Sequence, residues 1–152
     1  MMIFDEQGNL TPYNVQEITL KDFEKTFATN ENRQSLLVDY NAFIKHLNSL
    51  GINNFYQWID GSFVTKKISP RDIDVVSFIE TKEFKKNEKE LLLLPKMFQN
   101  IDCYFVEVFL KDDKKHFITQ TDTLYWFHLF QGTRKPRIKK GFVQINFGNH
   151  GN

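Results

Sequence analysis

Apolar residues recur along the chain with two different periods, and together these periods predict a mixed α/β fold. Residues 36–50 place leucine, tyrosine, phenylalanine and isoleucine three and four positions apart, which predicts an amphipathic helix ending at Gly51. Thr19 followed by Asp22 is a weak capping pattern that predicts a shorter helix through about Ala28. Runs rich in β-branched and aromatic residues predict strands at residues 55–59, 72–79, 101–110 and 141–147.

Helix formers and breakers predict the remaining elements. Residues 81–94 are charged and then leucine-rich, which predicts a helix that Pro95 breaks. The polar segment 121–123 predicts the start of a helix that continues through about Gln131. Neither end of the chain has a clear period, so we expect irregular structure at residues 1–18 and a disordered tail at residues 148–152.

Composition narrows the class of protein. A chain of 152 residues predicts a single domain, here residues 1–147, and 16 phenylalanines predict a core rich in aromatic rings. The formal net charge of +1 argues against a general nucleic-acid coat protein. The only cysteine, Cys103, excludes an internal disulfide and fits a reducing compartment. The sequence has no apolar run that could span a membrane and no secretory signal pattern, so we expect a cytoplasmic protein without a membrane partner.

Candidate chemistry lies between the first two predicted strands. Gly61 and Ser62 form a turn after one strand, and Asp72 and Asp74 introduce the next. Residues two apart on a strand share a face, so the two carboxylates point the same way and repel each other unless a cation lies between them. Mg²⁺ prefers such oxygen ligands, and free N–H groups with a hydroxyl at the start of a helix can bind phosphate. This pattern indicates phosphoryl or nucleotidyl transfer.

A third carboxylate could come from the strand predicted at residues 101–110. Asp102 and Glu107 are an odd number of residues apart, so a regular strand shows them on opposite faces and only one can join the pair. The long connection before this strand allows a parallel crossover. Parallel pairing favours Asp102, which is near its strand start, whereas antiparallel pairing favours Glu107.

The arrangement resembles the nucleotidyltransferase superfamily of polymerase-beta-like and minimal nucleotidyltransferases. Its pattern is a hydrophobic residue with Gly-Ser, then Asp-x-Asp flanked by apolar residues, then a third acid on a later strand. The wider phrase WIDGSFVTKKISPRDIDVV, with FDEQGNLTPYNV and KKGFVQINF, is similar to an uncharacterised bacterial family of small nucleotidyltransferase-like proteins. This chain departs from the pattern at Asp60, where an apolar residue is usual, and in the loop after Ser62, which lacks a second small residue.

The resemblance implies a mixed β-sheet flanked by helices and a Mg²⁺-dependent (or Mn²⁺-dependent) transfer from a nucleoside triphosphate, ATP first among them. The acceptor would be a hydroxyl on a partner protein, an RNA end or a small molecule. The alternative is a catalytically inactive binding module, such as one partner of a toxin–antitoxin or phage-defence pair. The implied metal ligands and catalytic residues are Asp72, Asp74 and Asp102, and the implied nucleotide-binding residues are Gly61, Ser62, Lys66, Lys67 and Arg71.

Other candidates have more ordinary interpretations. The basic run from Arg134 to Lys140 is either a solvated loop or an anion site. We expect Tyr125 and Trp126 to pack in the core rather than stack on a base. Cys103 is expected to be a core residue rather than a nucleophile, and the four histidines show no zinc-like spacing with it.

Overall fold

The computed structural model describes residues 2–132 and 139–148. Its main element is a five-stranded mixed sheet with the strand order β3-β7-β4-β5-β6, beside a small antiparallel pair, β1-β2. The strands are β1 (Ile3–Phe4), β2 (Leu10–Thr11), β3 (Val15–Glu17), β4 (Phe55–Asp60), β5 (Ile73–Glu80), β6 (Ile101–Val108) and β7 (Phe142–Phe147). The helices are α1 (Leu20–Phe27), α2 (Glu31–Ser49), α3 (Thr81–Lys86), α4 (Glu88–Met97) and α5 (His116–Gln131).

The five-stranded sheet contains both antiparallel and parallel neighbours. β4 runs antiparallel to both β5 and β7, while β5 and β6 are parallel, and so are β3 and β7. The crossover from β5 to β6 contains α3 and α4, as a parallel connection requires. The mixed α/β class is therefore confirmed, and of the two pairings left open for the third acidic strand the parallel one is observed.

Two hydrophobic clusters cover the two faces of the sheet. The larger joins inward residues of β4–β7 to α1, α2 and α4, and the smaller joins the opposite face to α5. Seven phenylalanines are fully buried, which confirms the expected aromatic core: Phe23, Phe27, Phe43, Phe55, Phe63, Phe78 and Phe142. No helix in the described part of the chain is both long and apolar enough to cross a membrane.

The helix boundaries test the sequence patterns. The Thr19 hydroxyl accepts a hydrogen bond from the Asp22 N–H at the start of α1, as the capping pattern predicts. The apolar stripe of α2 is buried, and Gly51 follows the helix with φ +82°, a conformation that favours glycine.

Four predictions about elements were wrong. Residues 1–18 are not wholly irregular, because they contain β1, β2 and β3. The single helix expected over residues 81–94 is two helices, α3 and α4, with Asn87 between them. Pro95 does not break its helix: it lies in the last turn of α4, where little helix remains to be disrupted. Helix α5 begins at His116 rather than near Thr121, and Thr121 lies inside the helix, where its hydroxyl donates to the Phe117 carbonyl instead of capping the first turn.

Candidate functional site

Three carboxylates form a row across adjacent strands at one end of the sheet. In the strand registers, Asp60 of β4 lies opposite Asp74 of β5, and Asp74 lies opposite Asp102 of β6. Directly paired residues share a face of a sheet, so all three side chains lie on the α5 side. Asp72 comes two residues before Asp74 and lines the same cavity. The parallel pairing therefore brings Asp102, and not Glu107, to the Asp-x-Asp pair.

Glu107 lies at the other end of β6, opposite Ile79. Its carboxylate accepts a hydrogen bond from the Thr81 hydroxyl and lies 3.3 Å from the Lys85 ammonium. The ion pair and the hydrogen bond balance the charge of the Glu107 carboxylate. Glu107 therefore contributes to the structure of the far end of the sheet.

The Gly-Ser turn opens at the same end as the carboxylates. Gly61 has φ +77°, and a Cβ built on it would lie 2.8 Å from Asp74 Cγ. Both the backbone conformation and the close approach to Asp74 require glycine. Ser62 begins a 3₁₀ helix of only three residues, Ser62–Val64, so the expected phosphate site at the start of a helix reduces to loop N–H groups and one hydroxyl.

The loop after Ser62 is held by Arg33, a residue of α2 that the sequence reading missed. Arg33 is 3% exposed, and its guanidinium donates to the carbonyls of Phe63 (2.6 Å), Thr65 (2.7 Å) and Lys67 (2.6 Å). The Arg33 guanidinium also lies 5.1 Å from the centre of the Phe63 ring. Burial lowers the pKa of Arg33, yet an arginine stays charged at neutral pH. Arg33 therefore fixes the backbone shape of the loop that separates the two motifs.

A second buried cation, Lys140, explains why Asp60 is tolerated before the glycine. The Lys140 ammonium is in direct contact with the Asp60 carboxylate, and the two residues are 7% and 5% exposed. Burial lowers the pKa of Lys140 to about 7, while the adjacent carboxylate acts in the opposite direction by favouring the charged form. Lys140 thus provides the counter-charge of the buried Asp60 carboxylate.

The four acids, the Gly-Ser turn and Lys140 line a cavity of about 610 Å³, a size typical of small-molecule sites. Of the predicted nucleotide-binding residues, Lys67 and Arg71 line it together with Gly61 and Ser62. Lys66 does not: its ammonium lies 5.4 Å from the centre of the Phe4 ring, and its backbone N–H donates to the Gly8 carbonyl. The side chain of Lys66 therefore stabilises the N-terminal segment rather than the cavity.

The other candidate residues fall outside this cavity or outside the described chain. Trp126 packs against the smaller core cluster as expected, but Tyr125 is 61% exposed, so core packing was the wrong expectation for it. Cys103 is buried, and burial raises the pKa of its thiol to about 12, as suits a core residue. Of the basic run only Lys139 and Lys140 are described, so the anion-site reading of Arg134, Lys135 and Arg137 lies outside the described residues, as does the tail from 149 onward.

The carboxylates of the cavity suit a hard cation that binds together with a phosphate-bearing ligand. Within residues 2–132 and 139–148, no group of three or more His, Cys, Asp or Glu side chains is arranged to hold a metal ion by itself. Mg²⁺ does not require such a cage, because it keeps several waters and takes one or two carboxylates together with substrate phosphate oxygens. Asp72, Asp74 and Asp102 are carboxylates of this kind, and all three line one cavity.

Comparison with protein families places the chain. Residues 2–146 match the model of DUF6932, a family of unknown function, and the chain belongs to that family. No curated protein and no solved structure matches it.

Proposed function

We propose that the protein is a Mg²⁺-dependent nucleotidyltransferase. It moves a nucleotidyl group from a nucleoside triphosphate to an acceptor hydroxyl, and ATP is the proposed donor. One observation carries the proposal: Asp74 and Asp102 lie side by side on parallel strands, in one cavity with Asp72 and the Gly61-Ser62 turn. Grouped carboxylates beside a turn rich in hydrogen-bond donors suit a metal-bound triphosphate.

The carboxylates divide the work in this proposal. Asp72 and Asp74 would hold the cation that accompanies the triphosphate. When bound, that cation would offset the negative charge of the phosphates and the carboxylates. Asp102 stands at the open side of the row, since it is exposed and its side chain accepts a 3.3 Å contact from the Tyr104 hydroxyl. Asp102 is therefore the group best placed to meet an acceptor.

The phosphate end of the cavity is formed by the loop that Arg33 anchors. The Ser62 hydroxyl, Lys67 and Arg71 provide donors and positive charge for phosphate oxygens. Lys66 has no part in this role, because it faces Phe4. A loop fixed through its carbonyls keeps its shape before the ligand arrives, which reduces the entropy lost on binding.

The transfer step balances without a further reactant. The acceptor oxygen forms a bond to the α-phosphorus, the bond from that phosphorus to the bridging oxygen breaks, and pyrophosphate leaves. The hydroxyl proton passes to Asp102 or, through it, to water. The acceptor can be a hydroxyl of a partner protein, an RNA end or a small molecule. We place the reaction in the cytoplasm, where nucleoside triphosphates are abundant and Cys103 stays reduced.

The test is transfer from ATP labelled at the α-phosphate, in lysate of the source organism, with Mg²⁺ or Mn²⁺ and with each cation omitted. We expect cation-dependent labelling of a protein, an RNA or a small molecule, together with release of pyrophosphate, and neither with the Asp74→Asn variant. Absence of label and of pyrophosphate with all four nucleoside triphosphates and either cation would reject the proposal. That outcome would favour the inactive binding module, for example one half of a toxin–antitoxin or phage-defence pair.

A further inference from the structure

Helix α5 exposes an apolar face that the described part of the chain does not cover, with the polar side chains of Thr121 and His128 among its apolar ones. Five apolar side chains on this face are between 37% and 61% exposed, and Phe117, Leu124 and Tyr125 are each about three-fifths exposed, at 61%, 59% and 61%. At 100° per residue they fall within little more than a third of the helix circumference. We call this set the outer face of α5: Phe117, Ile118, Leu124, Tyr125 and Leu129.

The opposite face of α5 already attaches the helix to the sheet. Phe130 is buried among Trp58 and Phe142, and Trp126 packs against it. The Thr119 hydroxyl donates to the Glu107 carbonyl and accepts from the Phe109 N–H. The outer face therefore has no role in holding α5 to its own sheet.

Charge on α5 disfavours a nucleic acid as the occupant of this face. The helix, HFITQTDTLYWFHLFQ, contains no lysine or arginine. The side chains in it that can carry charge near neutral pH are Asp122 and the two histidines, His116 and His128, of which His128 is exposed on the outer face. Phosphate backbones are bound chiefly by lysine and arginine. Thr121, in the middle of the outer face, donates its hydroxyl to the Phe117 carbonyl and so needs no outside partner. The face is suited to burial against another apolar, uncharged surface.

We propose that the outer face of α5 is the two-fold interface of a homodimer, with α5 packed antiparallel on α5 of a second copy. Side chains of this size have on the order of 200 Å² of surface each. At the observed exposures, five of them leave roughly 500 Å² of apolar surface on one helix. A standard interface takes about 800 Å² from each partner, a little over half of it apolar. The outer face therefore supplies the apolar part of such an interface, and a face whose exposed side chains include no lysine, arginine, aspartate or glutamate can pack against a second copy of itself.

Helix α4 provides the matched comparison. Leu92 is 76% exposed, more than any leucine of α5, but its helix carries Glu88, Lys89, Glu90 and Lys96 within ten residues. Interspersed charges of this kind keep an exposed leucine in water. Leu92→Lys therefore controls for adding a charge at an exposed leucine outside the interface.

The experiment is sedimentation of the purified full chain from micromolar to about 100 μM, a range that detects a dimer of micromolar Kd. We expect a dimer for the wild type and for Leu92→Lys. Leu124→Lys and Leu129→Lys should each weaken it by roughly 30-fold or more, because two copies of the charge are buried in the centre of the interface. Circular dichroism and thermal melts show whether each variant is folded.

A second variant gives a positive signal even if the lysine substitutions unfold the chain. Thr121→Cys should be joined between copies by a short bismaleimide, whereas Leu92→Cys should not, and the buried Cys103 should stay unmodified in both. A wild type that is monomeric throughout the range overturns the proposal. A dimer that persists in both α5 lysine variants also overturns it, since the interface is then elsewhere. Binding of single-stranded RNA by a monomer, lost in Tyr125→Ala, assigns the face to nucleic acid instead.

Discussion

The two ends of β6 each carry one acid, and the protein treats them in opposite ways. The Glu107 carboxylate accepts a hydrogen bond from the Thr81 hydroxyl and forms an ion pair with Lys85. Asp102 is exposed and lies beside Asp74, a second carboxylate, with a 3.3 Å contact from Tyr104. An acid that stabilises a fold has a positively charged or hydrogen-bonding partner within the fold. Carboxylates grouped at a cavity wall repel one another, and a bound cation offsets that repulsion. This contrast separates structural acids from candidate ligands on one strand.

The largest expected effect comes from replacing acids at the cavity end. Asp72→Asn and Asp74→Asn should each reduce nucleotidyl transfer by about 1000-fold or more, because each removes a charged metal ligand while keeping its shape. Asp102→Asn should reduce transfer to a similar extent and still bind the Mg-nucleotide. Glu107→Gln is the matched control at the far end and should transfer within about twofold of the wild type. Labelled transfer and a nucleotide-binding titration measure both properties.

The result that would break the comparison is a loss of transfer in Glu107→Gln while Asp102→Asn stays active. If all four variants match the wild type, the cavity acids are structural and the enzyme proposal fails.

A second test removes the guanidinium that shapes the loop beside the acids. Arg33→Met should lower the free energy of unfolding by about 3–4 kcal/mol, because several buried carbonyls lose their donor at once. Arg33→Lys keeps the charge but cannot reach three carbonyls together, so it should recover less than half of that loss. Urea unfolding followed by circular dichroism measures both variants. If Arg33→Lys restores full stability, charge rather than geometry is what the loop requires.

The Asp60–Lys140 pair tests whether one acid at the cavity end is structural like Glu107. Lys140→Met should destabilise the protein by about 2–3 kcal/mol, since it leaves a buried carboxylate without its partner. The double variant Asp60→Asn with Lys140→Met should recover most of that stability, and a double-mutant cycle in urea gives the coupling energy. Additive effects would show that the contact contributes nothing to stability and that Asp60 is not a structural acid of the kind that Glu107 represents.

The smallest expected effect is stabilisation by ligand. Mg-ATP at about 100 times its Kd should raise the melting temperature by roughly 5–10 °C. Mg²⁺ alone should give little, because no group of three ligands is preassembled in the described residues. EDTA should reverse the shift, Asp74→Asn should lack it, and Glu107→Gln should keep it. An unchanged midpoint in the wild type at millimolar Mg-ATP would favour a module that does not bind nucleotide.

The local features of the site could be predicted from the sequence. The spacing of Asp72 and Asp74 and the long crossover before β6 favoured Asp102 over Glu107, because strand alternation and crossover length are local rules, but the choice depended on the strand direction that only the structure gives. Gly61 was likewise predictable as a turn residue. These rules do not establish the role of any of these residues, which stays a prediction.

Features that depend on partners far apart in the sequence were missed. Arg33 acts on a loop about thirty residues away, and Lys140 neutralises a carboxylate 80 residues away. Neither pairing leaves a local pattern. The short strand β3 was missed for the same reason, since its three residues are extended because β7 pairs with them. The one signal noted in the sequence was the departure from the family pattern at Asp60, and nothing local connects that acid to Lys140.

The position of β7 in the sheet has a consequence for biosynthesis. β7 is made last yet lies between β3, the first strand of the sheet, and β4. On the ribosome, β3 has no neighbour to pair with until residues 142–147 emerge, and Asp60 has no counter-charge until Lys140 does. Such long-range pairings are slow to form and leave strand edges open while they wait. The nascent chain therefore contains Asp72 and Asp74 long before the cavity around them is complete. The last wall of the cavity forms only after Lys140 has been translated.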